Sequence, residues 1–358
     1  LIKQKWDVTI ICSEGPYVKK LKSKNYNIKT ISISRNLNLF KHFISFIRLY
    51  VFLKKNKFDV VHVHTPVASV LGRIAAKLAG VKYVIYTAHG FYFHENMSFL
   101  KFKFYFYIEK LFSNFTNLIF TQSKEDQLTC IKYKLCNPKK IICIGNGVSK
   151  TKFDYKLKSN KFKIRNQFNI PKEYTTFIFV GRLVKEKGLE YMFNSAFKII
   201  DKNKKIFFLI VGERLESDHS PGIDNYIRIA KKNYKKNIKF LGMRDDIENL
   251  LAASDIFCLP SLREGLPRSI IEAMIMGLPV ITTNIRGCRE LIKNNINGII
   301  CSPGSSSSLY DAFNKFILNK DMINKYGLNN YHYSVKRFDE SLVVKNQIKL
   351  INNLMLNA

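Results

Sequence analysis

The stretch IFCLPSLREGLPRSIIEAMIMG (residues 256–277) passes from a short apolar run, through a loop, into an apolar run of helical length. Pro267 suits the first turn of that helix, and Gly277 suits its C-terminal cap. Two carboxylates, Glu264 in the loop and Glu272 in the helical run, stand out in a chain whose formal net charge is +32. The stretch therefore predicts a strand, a loop and a helix N-terminus in immediate succession.

Short apolar runs of the same kind recur along the whole chain and alternate with longer amphipathic stretches. They lie at residues 8–12, 60–65, 83–90, 117–123, 141–147, 177–181, 207–212, 239–242, 256–261 and 279–284. Continuous hydrophobicity is typical of strands covered on both faces, and the helix-length stretches between them indicate βαβ units. The sequence therefore predicts an α/β fold of two Rossmann-like, doubly wound domains that face a central cleft, where a ligand binds at the strand ends.

A polar segment rich in Lys and Asn, residues 148–175, separates the two series of runs. A chain of 358 residues is long for a single core. We therefore expect a domain junction in this segment, with one domain at residues 1–150 and a second at residues 151–335.

The strong positive charge favours an anionic partner, although a chain dominated by Lys, Asn and Ile also fits a solvated basic surface. Residues 1–150 hold 25 Lys and Arg against 7 Asp and Glu, which makes the first domain the more basic one. No nucleic-acid-binding module is recognisable, so no nucleic-acid partner is expected. The seven cysteines form no Cys-x-x-Cys pair, and several lie in apolar runs. This pattern indicates reduced core cysteines of a cytosolic protein and argues against a zinc site.

No uninterrupted apolar stretch reaches the ~20 residues that a membrane span needs. Two helix-length runs, at residues 40–57 and 99–115, combine aromatic with basic residues. Such runs either lie on an anionic membrane surface or form core helices of a Rossmann-like domain. We expect a cytoplasmic protein that binds peripherally to the inner face of the plasma membrane.

The N-terminus of the helix predicted around Pro267 is suited to binding an anion. Its backbone N–H groups and the helix dipole together favour a diphosphate. The donors belong to Gly265, Leu266, Arg268 and Ser269. Glu272 lies about 8 Å further along the helix. Since carboxylates accept hydroxyl groups and repel phosphates, Glu264 and Glu272 favour a ligand with hydroxyls on both sides of a diphosphate, as in a nucleotide sugar.

A second cluster follows the run at 177–181, in the sequence GRLVKEKGLEYM (residues 181–192). Arg182 and Lys187 stand where a turn leaves the carboxyl end of the predicted sheet. Arg supplies a bidentate fork and Lys a point charge, and together they suit a leaving diphosphate. No Asp-x-Asp pair follows a strand to hold Mg²⁺, so we expect chemistry without a metal or another cofactor.

These motifs together resemble the retaining glycosyltransferases of family four, which have the GT-B fold. The resemblance is carried by Gly181-Arg182-x-x-x-Glu186-Lys187-Gly188, VGE (211–213), residues 240–292 and NG (297–298), and upstream by HVHTPVASVLGRIAAKLAG (62–80) and YTAHGFYFHE (86–95). It covers nearly the whole chain and is strongest toward enzymes of capsule, O-antigen or exopolysaccharide assembly.

The resemblance implies roles in binding the nucleotide-sugar donor. Arg182 and Lys187 would hold its diphosphate, Glu264 would face the transferred sugar, and Glu272 would bind ribose hydroxyls. The loop of Gly265, Leu266, Arg268 and Ser269 would add donor contacts, and the turn of Gly242, Met243 and Arg244 would bind the base.

The resemblance also implies a catalytic set formed by His89, Glu264, Arg182 and Lys187. His89 belongs to the first domain and would reach toward the sugar. The anomeric configuration would be retained, and a donor phosphate oxygen would take the proton of the acceptor hydroxyl.

By the same resemblance, residues 1–150 form the acceptor-side domain and residues 151–335 the donor-binding domain. Residues 336–358 would form a last helix that packs back on the first domain. The run at 8–12 resembles the second strand of such enzymes, so we expect the N-terminus to be incomplete, without the first strand and its Gly-rich loop.

The favoured function is transfer of a hexose or N-acetylhexosamine, from a UDP-sugar, to a polyprenyl-diphosphate-linked glycan of a bacterial surface polysaccharide. Two alternatives stay open: a nucleotide-sugar 2-epimerase of related fold, and an inactive scaffold of a polysaccharide assembly complex. His62 and His64 alternate along one predicted strand, and we interpret them as structural or cleft-lining because no acid or cysteine completes a metal site. Glu213 is either a cleft residue or a plain loop acid.

Overall fold

The chain forms two compact α/β units. The computed structural model describes residues 2–34, 38–214 and 222–356. Unit 1 comprises Leu1–Ile144 and Val344–Ala358, and unit 2 comprises Gly145–Val343. All strand pairs of the described residues are parallel. This is the arrangement that continuous apolar runs separated by helices predict.

Unit 1 contains two separate sheets. Its strands are β1 (Thr9–Cys12), β2 (Asn27–Thr30), β3 (Val60–His64), β4 (Tyr83–Ala88), β5 (Leu118–Thr121) and β6 (Ile141–Cys143). β1 pairs with β2, while the other strands form a sheet of order β3-β4-β5-β6. The helices are α1 (Pro16–Lys22), α2 (Leu39–Asn56), α3 (Pro66–Leu78), α4 (Phe99–Ser113) and α5 (Lys124–Lys132). Helix α2 packs along α3, which also contacts α4.

Unit 2 contains one sheet of six strands. They are β7 (Thr175–Val180), β8 (Ile206–Val211), β9 (Ile238–Gly242), β10 (Ile256–Leu259), β11 (Val280–Thr283) and β12 (Gly298–Cys301). The helices are α6 (Lys161–Gln167), α7 (Leu189–Lys202), α8 (Ile223–Asn233), α9 (Ile247–Ala253), α10 (Arg268–Ile275), α11 (Cys288–Leu291), α12 (Ser306–Leu318) and α13 (Asp321–Val335). The residues of β8 and β10 are all buried, so helices cover both faces of the sheet.

The strand order in unit 2 is β12-β11-β10-β7-β8-β9. The chain moves outward in one direction from β7 to β9 and then returns to start again at β10 beside β7. Such a reversal opens a crevice between the carboxyl ends of the two central strands, and ligands of doubly wound sheets bind there. The loops after β7 and β10 are therefore the part of unit 2 where a site is expected.

The chain changes units at two points that lie side by side. β6 ends at Cys143, and Val148 then accepts and donates backbone hydrogen bonds with Glu340 and Phe338 at 3.2 and 2.9 Å. The last helix, α14 (Glu340–Leu356), begins at this pairing, and its Ile351 is buried in a core cluster with residues of β4 and β5. The structure thus changes units after 144 and 343, whereas the sequence placed the changes after 150 and 335.

Two glycines hold the loops at the strand ends of unit 2 close together. Gly188 has φ +69°, and a Cβ there would lie 1.9 Å from the carbonyl oxygen of Pro260. Gly287 has φ +79°, and a Cβ there would lie 1.6 Å from the carbonyl oxygen of Gly265. Both positions combine a left-handed backbone with contact too close for any side chain. The loops after β7, β10 and β11 therefore meet in fixed positions.

Each unit has a buried ion pair. In unit 2, Asp255 accepts hydrogen bonds from Lys161, from Arg165 at 2.7 Å and from the backbone N–H of Thr176 at 2.7 Å. Burial alone would raise the pKa of Asp255, but the two cations outweigh it and the pKa is lowered. In unit 1, Arg73 is fully buried and pairs with Glu109 at 3.0 Å.

No helix of the described residues is long and apolar enough to cross a bilayer.

Candidate active site

The loops after β7 and β10 meet at a charged contact. Lys187 donates from Nζ to Oε1 of Glu264 at 2.6 Å, and the hydroxyl of Ser261 donates to the same oxygen at 2.6 Å. A backbone hydrogen bond from Leu262 to the carbonyl of Glu186, 2.8 Å long, joins the two loops beside it. Since both side-chain contacts use Oε1, Oε2 of Glu264 is left to accept a further hydroxyl.

Arg182 lies at the end of β7, directly after Gly181, with its side chain exposed. It therefore stands at the same sheet edge as Lys187. The sequence prediction that these two cations leave the carboxyl end of one strand is confirmed by the bounds of β7.

Helix α10 begins at the predicted place. Pro267 is its N-cap residue, one position earlier than predicted, and Arg268 and Ser269 form its first turn. Gly265 and Leu266 are buried in the loop before it. At the other end Gly277 has φ +65°, and Leu278 donates back to the carbonyl of Ala273 at 2.9 Å. This left-handed glycine confirms the predicted C-terminal cap.

Glu272 lies on α10 in a largely buried position. Arg268, one helical turn earlier, donates from Nε to Oε1 of Glu272 at 3.3 Å, and its other end lies 3.4 Å from Glu340. Burial raises the pKa of Glu272 from 4.5 to about 7, and Arg268 only partly opposes this shift. A carboxyl group held in this way gains from ligand hydroxyl groups that replace its lost water.

The turn after β9 is shaped by a carboxylate from the neighbouring strand. Glu213 accepts a hydrogen bond from the backbone N–H of Met243 at 3.1 Å. Gly242 has φ +64°, and a Cβ there would lie 2.7 Å from Oε1 of Glu213. Arg244 is held by Asp246 through two hydrogen bonds of 2.8 and 2.7 Å.

This turn borders a shallow depression of 390 Å³ lined by Met243, Arg244, Asp245 and Asp246. The side chain of Met243 is half exposed at its edge. The half-exposed Met243 side chain beside the fixed Arg244 guanidinium is suited to contact with a planar heterocycle.

His89 lies in unit 1, immediately after β4, and is exposed. Its Nε2 is 3.0 Å from Nδ1 of His64 at the end of β3. His62, two residues earlier on β3, contacts the hydroxyl of Thr87 at 2.7 Å. No three His, Cys, Asp or Glu side chains of the described ranges form a metal-ligand set.

Both halves of the chain match glycosyltransferase family models. Residues 160–333 match the model described as glycosyl transferases group 1, and residues 1–123 match the glycosyl transferase 4-like model. A UDP-Gal:alpha-D-GlcNAc-diphosphoundecaprenol alpha-1,3-galactosyltransferase of Escherichia coli is 36% identical over 316 residues, which cover 87% of this chain and 80% of that protein. The chain therefore belongs to the glycosyltransferase group 1 family.

Two other similarities extend over nearly all of the glycosyltransferase. An N,N'-diacetylbacillosaminyl-diphospho-undecaprenol alpha-1,3-N-acetylgalactosaminyltransferase of Campylobacter jejuni is 26% identical over 99% of this chain and 93% of its own length. The crystal structure of Anabaena Alr3699/HepE in complex with UDP and glucose superposes with a TM-score of 0.77, over 96% of this chain and 91% of that one, at 20% identity. The predicted family and the predicted α/β, GT-B fold class are confirmed.

The structure brings several of the predicted site residues of the glycosyltransferase together. Glu264 contacts Lys187, Glu272 contacts Arg268, and Gly242 to Arg244 form one turn. Their roles toward donor and acceptor stay predictions, as does that of His89.

Sequence reasoning missed or left undecided three residues that shape this site. Ser261 shares Glu264 with Lys187, Glu213 holds the turn after β9, and Asn146 donates to the carbonyl of Leu266 at 3.1 Å. For Glu213 the position directly after an apolar run was a usable signal. A serine or an asparagine in a polar loop carries none.

Proposed function

We propose that this glycosyltransferase moves a hexose or N-acetylhexosamine from a UDP-sugar to a polyprenyl-diphosphate-linked glycan, with retention of the anomeric configuration. The observation that carries the proposal is the Lys187–Glu264 contact at the strand-order reversal of unit 2. This contact supports the proposal, because a cation suited to phosphate lies beside a carboxylate suited to sugar hydroxyls. The printed activity of the Escherichia coli relative, with UDP-Gal as donor and a diphosphoundecaprenol-linked sugar as acceptor, supports the choice of substrates.

The leaving group in this reaction is a nucleoside diphosphate. The bond between the anomeric carbon and the phosphate oxygen breaks, and Lys187, Arg182 and the N-terminus of α10 stabilise the negative charge that develops. The acceptor hydroxyl attacks the same face of the sugar, and its proton passes to a phosphate oxygen of the leaving group. No side chain has to act as a nucleophile.

Each carboxylate has a separate task in this scheme. Glu264, already hydrogen-bonded through Oε1, accepts a hydroxyl of the transferred sugar through Oε2. Glu272 accepts the ribose hydroxyls, and these replace the water that burial has removed from it. The base lies in the depression bordered by Met243 and Arg244.

Thermal unfolding with nucleotides tests the donor site. In the presence of a chelator, UDP at 100 times its Kd should stabilise the protein by about 2.7 kcal/mol, whereas GDP and ADP should have smaller effects. Lys187→Ala should remove most of the stabilisation and lower kcat/KM for sugar transfer by about 10²- to 10³-fold.

Lys185→Ala is the matched control, because Lys185 lies in the same loop with an exposed side chain. It should leave UDP stabilisation and turnover near the wild-type values. A folded protein that none of the three nucleotides stabilises would refute the proposal. Formation of an epimerised nucleotide sugar without transfer would favour the 2-epimerase alternative.

We also propose that unit 1 binds peripherally to an anionic membrane, where a lipid-linked acceptor is met. Helix α2 exposes apolar side chains on the face turned away from its buried residues Ser45, Leu49 and Leu53. The exposed apolar residues are Leu39, Phe40, Phe43, Ile47 and Val51. Exposed Lys41, Arg48 and Lys55 border this face on one side, as in helices that lie in a lipid interface.

Helix α4 has the same character. Its exposed apolar side chains are Phe99, Leu100, Phe104, Tyr107 and Leu111. Lys103 and Lys110 are exposed beside them. The charge of these helices complements an anionic lipid surface, which attracts each nearby Lys or Arg by about 1 kcal/mol.

Vesicle sedimentation tests this surface. The protein should sediment with vesicles containing phosphatidylglycerol and much less with pure phosphatidylcholine. The double variant Phe40→Asp, Phe43→Asp should lose binding, whereas Leu318→Asp, at an exposed apolar position of unit 2, should keep it. Equal binding by both variants would refute the assignment of the surface.

A further inference from the structure

Three imidazole rings form a row at the carboxyl end of the larger sheet of unit 1. His62 and His64 alternate on β3, so both side chains lie on the same face of the sheet. His89 follows β4, the strand that pairs with β3. The ring centroids of His62 and His64 are 4.4 Å apart, and those of His64 and His89 are 5.2 Å apart.

Each contact within this row involves one particular ring nitrogen. His62 contacts Thr87 through Nε2 at 2.7 Å, and His64 contacts Nε2 of His89 through Nδ1 at 3.0 Å. One nitrogen of His89 is therefore occupied by His64. The opposite nitrogen, Nδ1, is the one left for a ligand.

Both histidines of β3 have a lowered pKa. Burial, together with smaller contributions from neighbouring His64 and His89, lowers the pKa of His62 to about 3. Partial desolvation and the adjacent His89 lower the pKa of His64 to about 4. His64 is therefore neutral at physiological pH, with one protonated and one unprotonated nitrogen, so its Nδ1 either donates to His89 or accepts from it.

The backbone beside His64 is held in an unfavourable conformation. Thr65 has φ +64° and ψ 149°, a region that β-branched residues rarely occupy. It lies between the end of β3 and Pro66, the first residue of α3. The chain thus turns directly after His64 instead of extending the strand, which keeps this imidazole at the strand end beside His89.

We propose that His64 is a positioning residue that orients the ring of His89, so that Nδ1 is the nitrogen that His89 offers to a ligand. The inference rests on the proposed function and on the catalytic role that the family resemblance implies for His89. His64 itself touches no substrate in this scheme. It acts on His89 as the hydrogen-bonded partner of a functional histidine acts in other enzymes, where loss of the partner lowers the rate.

Two substitutions at one position separate orientation from packing. His64→Leu removes the hydrogen bond and should lower kcat by about 10- to 100-fold, the range for loss of a residue that orients a functional histidine. KM for the UDP-sugar and thermal stabilisation by UDP should stay unchanged. His64→Asn places an amide near the position of Nδ1 and should recover most of kcat.

His42→Leu is the matched control, since His42 is a second unit 1 histidine whose buried ring nitrogens contact no hydrogen-bonding partner within the described residues. It should leave kcat unchanged. Equal losses in His64→Leu and His64→Asn, or no loss in either, would overturn the proposal.

Nitrogen-15 NMR of the His89 ring gives a readout that does not depend on turnover. The wild-type protein and His64→Asn should show a hydrogen-bonded Nε2 in His89, and His64→Leu should show an Nε2 without that bond. If the wild-type protein transfers no sugar, the proposed function fails, and the NMR result alone then decides whether His64 orients His89. An unchanged His89 spectrum in His64→Leu would overturn the inference.

Discussion

Units 1 and 2 are both built from parallel βαβ repeats, but they bury their apolar residues to different extents. Unit 2 has one sheet of six strands and one continuous core cluster. Unit 1 has two sheets and three smaller core clusters, and it carries most of the large apolar side chains that are exposed. The difference follows the proposed roles: unit 2 encloses a small polar ligand, whereas unit 1 offers apolar and basic surface to a lipid-linked one.

The two units also differ in how their functional residues are fixed. In unit 2, Lys187 and Glu264 come from loops that glycine contacts and backbone hydrogen bonds lock together. In unit 1, the row of imidazoles depends on hydrogen bonds between the side chains themselves. Substitutions in unit 2 should therefore act through structure and affinity together, while those at the histidines should act on rate alone.

The largest expected effect comes from breaking the buried ion pair of each unit. Asp255→Ala leaves Lys161 and Arg165 without their anion, and Glu109→Ala leaves Arg73 without its partner. Each should lower the free energy of unfolding by about 3–5 kcal/mol. In scanning calorimetry, Asp255→Ala should lower the transition of unit 2 and Glu109→Ala that of unit 1.

Asp201→Ala serves as the control, because its pair with Lys204 is exposed and contributes little. A single transition that both core variants lower equally would mean that the units unfold as one.

A pH dependence of stability should distinguish unit 2 from unit 1. The pKa of Glu272 is about 7 in the folded protein against 4.5 ordinarily, so the folded state binds more protons between these values. The free energy of unfolding of unit 2 should therefore fall as the pH rises from about 4.5 to 7, by an amount on the order of 3 kcal/mol. Chemical denaturation across this range measures the change.

Glu272→Gln should remove this part of the dependence and leave unit 1 unaffected. The hydroxyls of bound UDP-sugar favour the carboxylate, so ligand binding should release a proton near pH 7. Identical pH profiles for the wild type and Glu272→Gln would contradict the assignment.

The smallest expected effect concerns the turn after β9. Glu213→Ala removes the acceptor for the Met243 N–H and should raise the Kd for a UDP-sugar about 5- to 10-fold, since one hydrogen bond contributes about 1 kcal/mol. Glu213→Gln keeps an acceptor oxygen and should bind nearly as well as the wild type. Isothermal titration calorimetry separates the two. Equal affinities in all three proteins would show that the turn holds its shape without Glu213.

Most strands were predictable because ten apolar runs are continuous enough to mark them. Two strands were not predicted. β2 (NIKT) alternates exposed and half-buried residues, and β12 (GIIC) is short and begins at the glycine of an Asn-Gly pair, which is typical of a turn. The division of unit 1 into two sheets could not be predicted either, because pairing between strands depends on distant parts of the chain.

The site was predictable to the level of loops and charges. Glu264 and the two cations could be found because each follows an apolar run, and Glu272 because it stands inside one, in a chain with few acids. The contact between Lys187 and Glu264 joins residues 77 positions apart, and it requires the order in which strands lie in the sheet. A periodicity within one run holds no such information.

The two places where the chain passes between the units constrain the design of chimaeric enzymes. The chain leaves unit 1 after Ile144 and returns after Val343, and the two crossings pair through Val148 and Phe338. At Gly147 an added Cβ would lie 2.5 Å from Cα of Glu340. A chimaera that borrows the donor half of another enzyme must therefore exchange both crossings as one matched cassette, with glycine retained at position 147.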